Sequence, residues 1–179
     1  MKTIKIKKPY VFIALLALSI FTFSCKSDDD GGGGGSAASG TITAKVDGST
    51  VTTMEMVTFA HLASGNLQIQ GNTGGTSSKA FVFNIIGFDG AGTYPIGGGA
   101  NIFNVASYTE TVVDLSNPSN PDVVVWQAPY DDTQVGEIKI SEITDSYVKG
   151  TFHFKAKNSD SNIKNITDGS FNVNFMTTP

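Results

Sequence analysis

Apolar and polar residues alternate through most of the chain after Gly40. Thr41–Asp47, Ala80–Gly87 and Tyr147–Lys157 place apolar side chains at every second position, which is the period of a β-strand. No segment of ten or more residues in this region shows the helical period of 3.6. Further strands are predicted for Leu67–Gln70, Val123–Trp126, Glu137–Ser141 and Ser170–Phe175. Two more strands are predicted within Asn101–Leu115, with a break near Thr109–Glu110. A strand is also predicted for Met54–His61, where a short helix is the alternative. The continuous apolar run from Val123 to Trp126 predicts a strand that is buried on both faces.

Turn signals separate these segments. Asp47–Gly48, Ser64–Gly65–Asn66 and Asp168–Gly169 predict tight turns, and Asn158–Asn162 predicts a hairpin connection. One wall of the core is predicted to consist of Phe152, Phe154, Phe171, Val173 and Phe175. About nine or ten strands at this spacing predict an all-β domain over residues 41–179, either an antiparallel β-sandwich or a flattened β-barrel.

The first 24 residues have the pattern of a secretory leader. Four lysines lie within the first eight residues, and an apolar run follows at residues 11–23. At 1.5 Å per residue this run spans about 20 Å, which is short of the roughly 30 Å that a transmembrane helix must cross. Residues 1–24 are therefore predicted to be a signal peptide.

Cys25 is the single cysteine of the chain and follows Ser24 where the apolar run ends. This arrangement resembles a bacterial lipobox, in which the cysteine sulfur receives a diacylglyceryl group and the leader is cut before it. Two or more acyl chains give stable anchoring, so the resemblance implies attachment to outer-membrane lipid through Cys25. The alternative is a free thiol or one half of an intermolecular disulfide.

An acidic and glycine-rich segment follows the cysteine. Lys26, Ser27, Asp28, Asp29 and Asp30 resemble the surface-export signal of Bacteroidetes lipoproteins, which implies display on the outer leaflet; a solvated linker is the alternative. Five glycines come next, at residues 31–35. Residues 25–40 are therefore predicted to be a flexible tether between the acylated cysteine and the domain.

Three motifs within the domain resemble a family of uncharacterised Bacteroidetes surface lipoprotein domains. The motifs are Ile42–Gly48 with its Val-Asp-Gly end, Gly92–Ile96 with Gly-Thr-Tyr, and a closing pattern over Gly136–Ile140, Val148–Ala156 and Ile166–Phe171, which contains Gly-Thr-Phe-x-Phe-x-Ala and Thr-x-Gly-x-Phe. The resemblance implies an all-β, surface-anchored domain and assigns no catalytic residue.

Charge and composition exclude some partners. The chain has no arginine and a net charge of −4, and loss of residues 1–24 leaves eight lysines, sixteen acids and a net charge of −8. A nucleic-acid ligand is therefore not expected, since phosphate binding normally relies on clustered Lys and Arg. His61 and His153 lie in no catalytic frame and have no metal-ligand spacing. The sequence thus predicts no catalytic residue, no metal and no cofactor.

Trp126, Tyr130, Asp131 and Asp132 form the best local candidate for a ligand site. The two rings could stack on a sugar while the carboxylates accept hydrogen bonds from its hydroxyl groups. The alternative is an exposed turn beside a core tryptophan, because Pro129 indicates a loop and adjacent acids point apart.

These observations predict a lipid-anchored outer-membrane protein, displayed on the cell surface, that binds an unidentified ligand and is not an enzyme. One alternative is an accessory subunit of an outer-membrane protein complex. A second alternative is an enzyme that acts on glycans.

Overall fold

The computed structural model describes residues 36–99 and 103–176, and in these it shows strands and one short 3-10 helix. In chain order they are β1 (Thr41–Val46), β2 (Ser49–Thr52), the 3-10 helix (Glu55–Val57), β3 (Phe59–Ala63), β4 (Asn66–Asn72), β5 (Ser77–Ile86), β6 (Gly92–Ile96), β7 (Asn104–Val112), β8 (Asp122–Ala128), β9 (Gly136–Ile143), β10 (Tyr147–Lys157) and β11 (Ile163–Asn174). The predicted all-β class is confirmed. No helix in the described ranges is both long and apolar enough to span a bilayer.

The strands form one curled antiparallel sheet that branches at β10. Its main order is β2-β1-β11-β10-β8-β7-β5-β4-β3, and β10 also pairs with β9, which pairs with β6. The length of β10 permits this branching, because Val148–Phe154 pairs with β9 while Lys157 pairs with Gln127 of β8. A parallel bridge between Ala60 and Phe175 brings β3 next to the end of β11. The sheet therefore folds over itself as a half-barrel, consistent with the predicted sandwich or flattened barrel.

Phenylalanine rings fill the space between the two halves of the sheet. The ring of Phe83 on β5 lies 4.6 Å from that of Phe152 on β10 and 6.2 Å from that of Phe171 on β11, between centroids. Phe152, Phe154, Phe171 and Val173 are buried, and Phe175 packs against the core while partly buried. The predicted aromatic wall is confirmed, since alternate residues of β10 and β11 face the same side.

Two of the predicted tight turns are confirmed. Asp47 and Gly48 have φ angles of 48° and 84° between β1 and β2, and Ser64 and Gly65 have φ angles of 52° and 74° between β3 and β4. Positive φ at both central residues matches the twist of the paired strands in a two-residue hairpin.

The third predicted turn, at Asp168–Gly169, is wrong. Both residues lie inside β11, where Phe152 of β10 pairs with Gly169 and Phe154 pairs with Ile166. Two residues of β11 therefore oppose His153, which defines a β-bulge, and Asp168 has a φ of 51°. An Asp-Gly pair supplies the same positive φ for a bulge as for a hairpin, so its sequence does not distinguish them.

The predicted break within Asn101–Leu115 is also wrong. β7 runs without interruption from Asn104 to Val112; residues 101 and 102 lie outside the described part of the chain. Thr109 pairs with Val125 on the outer face, and Glu110 accepts a hydrogen bond from Tyr108. Their polar side chains therefore do not interrupt the strand.

The prediction that the apolar run on β8 is buried on both faces is wrong. Val123 and Val125 are 49% and 40% exposed, while Trp126 faces the core with 7% exposure. Nothing in the described ranges covers the outer face of this strand at the two valines, so the run belongs to a strand with one solvated face.

The segment Met54–His61 contains both predicted alternatives. Glu55–Val57 forms the 3-10 helix, and the predicted strand begins only at Phe59. The predictions for the signal peptide, for Cys25 and for the export signal at residues 26–30 fall outside the described residues. The end of the predicted tether contacts the domain, because Ala37 is buried and the Gly40 N–H donates to the Asn172 carbonyl at 2.7 Å.

Candidate functional site

Tyr130 lies in the loop between β8 and β9, where two surface clefts meet. The ring is partly buried and lines both clefts, whose volumes are about 570 Å³ and about 510 Å³. We call them the His153 cleft and the Val125 cleft after a residue in each. Both volumes fall in the range of small-ligand sites.

The His153 cleft lies between this loop and the outer face of β10 and β11. Alternation along β10 turns Phe152 and Phe154 into the core and leaves the side chains of His153 and Lys155 outside. Further polar side chains line the cleft at Thr133, Gln134, Asn165 and Thr167. These amide, hydroxyl and ammonium groups suit a polar ligand.

The Val125 cleft lies on the outer face of β8, next to the end of β10. Its apolar side is formed by Val123, Val125 and Pro129, and its polar rim includes Gln127 and Lys157. The ammonium nitrogen of Lys157 lies 5.2 Å from the centroid of the Tyr130 ring. This cation–π contact helps to hold the ring at the junction of the two clefts.

Trp126 does not line either cleft. Its ring packs 5.8 Å from that of Tyr108, between centroids, and the ammonium group of Lys164 lies 4.6 Å from the ring on the inner side of the sheet. Among the residues that the structure describes, none offers a hydrogen-bond acceptor to the buried Nε1–H of the indole. Since Trp126 is almost entirely buried, it cannot stack on a ligand together with Tyr130. The alternative given by the sequence, in which Trp126 belongs to the core, is the one observed.

Asp131 and Asp132 are exposed in the loop after Tyr130. The carboxylate of Asp131 accepts hydrogen bonds from the Thr133 hydroxyl at 2.6 Å and from the Thr133 N–H at 2.9 Å. These bonds lower the pKa of Asp131, whereas a general acid in glycoside hydrolysis needs a raised pKa. The carboxylate thus shapes the loop and is poorly suited to donating a proton.

The two histidines lie on different strands and are both exposed. His61 of β3 lines a third, smaller cleft of about 300 Å³ together with Thr144 and Asp145, while His153 lines the cleft on β10. Within residues 36–99 and 103–176 no three side chains of the His, Cys, Asp or Glu type gather as a metal site would require.

A buried polar group lies at one end of the core, near Trp126. The hydroxyl of Tyr108 donates a hydrogen bond to Glu110 Oε1 at 2.8 Å, and the same oxygen accepts a second hydrogen bond from Lys164 Nζ at 3.1 Å. Burial first, and then the bond to Glu110, raises the pKa of Tyr108. Burial alone would raise the pKa of Glu110, but the bonds from Tyr108 and Lys164 lower it. This arrangement caps the core with paired charges.

Four residues that line the clefts were not predicted from the sequence: Lys155, Lys157, Asn165 and Thr167. The alternating pattern of β10 does place both lysines on the face opposite the phenylalanines, which is a usable signal. The position of the loop over β10 and β11 has no comparable signal in the sequence, because it depends on long-range pairing.

Comparison with known proteins identifies the family of the chain. No curated protein and no solved structure gave a match. A family model described as a domain of unknown function, DUF6252, matches residues 38–173. The match covers β1 to β10 and β11 as far as Val173. The chain therefore belongs to the DUF6252 family, a family of domains of unknown function.

Proposed function

We propose that the chain is a lipid-anchored, non-enzymatic binding protein of the outer membrane, displayed on the cell surface. One observation carries the assignment of the binding surface: the partly buried ring of Tyr130 lies between two clefts of about 570 Å³ and about 510 Å³. Aromatic rings with a few polar neighbours are typical of ligand pockets. The ligand therefore binds in the His153 and Val125 clefts, with Tyr130 in contact with both parts.

The anchor is inferred from the leader, from Cys25 and from the resemblance to Bacteroidetes surface lipoprotein domains. Eleven residues separate Cys25 from the buried Ala37, and a glycine-rich segment of that length has a root-mean-square reach of roughly 18 Å. The domain would then stand close to the membrane. The acids of residues 28–30 supply the export signal in this proposal.

Localisation can be tested on intact cells that express the full chain or the variant Cys25→Ser. We expect added protease to remove the wild-type domain without lysis, and labelled palmitate to be incorporated only when Cys25 is present. A periplasmic marker protein serves as the control for lysis. A domain that is cut only after lysis would contradict surface display, and an unmodified thiol in the mature protein would contradict the anchor.

Ligand binding can be tested with Tyr130→Ala in the full chain. The matched control is Tyr147→Ala, because Tyr147 also has a lysine ammonium group near its ring, at 4.5 Å, but lies at the start of β10 and lines neither cleft. In calorimetric titrations with a panel of glycans, we expect Tyr130→Ala to weaken binding about tenfold or more, in line with the loss of one aromatic contact. Equal affinities for the two variants would contradict the site.

A role as an accessory subunit of an outer-membrane complex is the second candidate. It is favoured by the exposure of Val123 and Val125 on the outer face of β8, since neighbouring exposed apolar side chains are typical of protein contacts. Val125→Lys should then abolish copurification of a partner in detergent while Tyr130→Ala does not. The reverse pattern would favour the ligand-binding proposal.

A further inference from the structure

Positive charge is unevenly distributed over the domain. Between residues 36 and 176 the chain has seven lysines and thirteen acids. Five of the seven lysines nevertheless project from the outer face of β1, β9 and β10, which belong to one half of the sheet: Lys45, Lys139, Lys149, Lys155 and Lys157. The same face of β9 and of the neighbouring β11 also carries Glu137, Glu142 and Asp168, so the concentration of lysines on this face is partly offset, with five lysines against three acids on the strands.

The concentration follows from the alternation of β10. Lys149, Thr151, His153, Lys155 and Lys157 occupy successive outward positions of this strand, and none of the outward positions is an acid. Side chains two residues apart on one strand face lie about 7 Å from each other. The strand therefore presents a row of regularly spaced cationic and neutral polar groups.

Only part of this charge is neutralised. Lys45 pairs with Asp168 and Lys149 pairs with Glu142, each at 3.0 Å. Among the described residues, no carboxylate lies within 4.0 Å of the ammonium groups of the other three lysines on this face, Lys139, Lys155 and Lys157. We call these three lysines and His153 the basic strip.

Acids near the basic strip reduce its potential without pairing with its lysines. Glu137 on β9 lies opposite His153 in the register of the two strands. Asp131 interacts with Lys157 at longer range but is held by the two hydrogen bonds from Thr133. Asp160 lies in the loop after β10. The lysine side chains thus remain available to a ligand.

We propose that the basic strip, together with Tyr130 and the His153 cleft, binds an anionic polysaccharide. The proposal rests on the proposed binding function and names the ligand class of the same surface. Lys155 lines the His153 cleft, and Lys157 lines the Val125 cleft on the other side of Tyr130. A sugar chain that contacts the ring would therefore have ammonium groups on both sides.

The lining favours a carbohydrate over other anionic polymers. Asn165 and Thr167 of the His153 cleft offer amide and hydroxyl groups that match sugar hydroxyls. The chain has no arginine for bidentate phosphate contacts. The domain has more acids than lysines, so it repels other anions. This repulsion is stronger for a densely charged polymer or an anionic bilayer than for a polymer with about one charge per sugar.

Paired polymers that differ only in charge test the ligand class. The full chain in detergent is titrated with polygalacturonate and with its methyl-esterified form, and separately with a dextran sulfate of about one sulfate per sugar and with dextran. We expect the charged member of at least one pair to bind about tenfold or more tightly than its neutral partner, and to lose affinity about tenfold between about 50 and 300 mM salt. The two pairs distinguish carboxylate from sulfate as the recognised anion.

Charge variants test the location. Lys155→Gln with Lys157→Gln should weaken binding of the charged polymer about tenfold or more. Lys45→Gln with Lys79→Gln changes the net charge equally but affects one paired lysine and one lysine on β5, so it should leave affinity within about twofold. Circular dichroism and tryptophan emission confirm that each variant is folded.

The outcomes separate this inference from the proposed function. Equal binding of charged and neutral polymers, with a loss only in Tyr130→Ala, would overturn the anionic class and leave the binding site in place. Absence of binding by every glycan would overturn both proposals. Tighter binding of a single-stranded oligonucleotide, or of vesicles that contain anionic lipid, than of the charged polysaccharides would overturn the choice of a carbohydrate.

Discussion

The variant Gly169→Ala tests the β-bulge of β11 and its contact with the aromatic core. A Cβ atom on Gly169 would lie 2.6 Å from the carbonyl oxygen of Phe152 and 2.6 Å from two atoms of the Phe152 ring. Real Cβ atoms do not approach other atoms this closely, so β10 or the ring must move. The Phe152 ring has little room to move, because its centroid lies 4.6 Å from that of the Phe83 ring.

The expected cost follows from overpacking in a core that is already filled. Forced shifts of this kind cost about 1–3 kcal/mol. Replacing glycine by alanine also restricts the unfolded chain, which offsets roughly 0.4–1 kcal/mol where the site accepts the methyl group. Gly92 is the matched control, since its nearest neighbour is Tyr94 Cε2 at 3.9 Å and the residue lies in β6. Gly169→Ala should therefore be less stable than Gly92→Ala by about 2 kcal/mol.

Equilibrium unfolding in urea measures this difference for the full chain. The emission of Trp126, the single tryptophan, reports the transition, because its ring is buried in the folded domain. The slope of the free energy of unfolding against urea should be the same for both variants, so the midpoints alone carry the comparison. Midpoints that agree within error would refute the inferred contact between β10 and the bulge.

Three further predictions concern charged side chains. The pKa of Glu110 is lowered in the folded state. Its stabilising contribution is therefore present at neutral pH and disappears as the pH falls from about 5 through the folded pKa. In urea titrations, the wild type should lose more stability than Glu110→Gln between pH 6 and pH 3. Lys164→Met should destabilise by about 1 kcal/mol, because it removes the cation over the Trp126 ring and a bond to Glu110, and thermal unfolding followed by circular dichroism measures the loss. Asp168→Asn should change stability by less than about 0.5 kcal/mol in the same assay. The ion pair between Asp168 and Lys45 is largely exposed, and asparagine also accepts a positive φ. A larger loss would show that the ion pair holds the bulge.

Local pattern was enough to predict the strands in which apolar and polar residues alternate. Thr41–Asp47 and Tyr147–Lys157 correspond to β1 and β10 within one residue, because their alternation directly encodes burial. The same reasoning predicted the side of His153. It was wrong for Val123–Trp126, since an apolar run does not reveal whether another layer covers its second face.

The candidate site was only partly accessible to sequence reasoning. Tyr130 and its two acidic neighbours are adjacent in the chain and were identified together, but Trp126 precedes Tyr130 by four residues and faces the opposite side of the sheet. The residues that complete the clefts come from β10 and β11, 23 to 37 positions after Tyr130 in the chain. Their proximity depends on the pairing of distant strands, which no local pattern contains.

The pairing of β1 with β11 has a consequence for how the protein is made. Thr41 pairs with Asn172, near the two ends of the domain sequence, and β11 also supplies the partner of β10. A nascent chain on the ribosome can pair β1 with β2 early, but it lacks the second partner of β1 until nearly all of the domain has been synthesised, and contacts of such long range form slowly. In the export that we propose for this chain, late closure of this kind would keep the polypeptide unfolded while it crosses a membrane.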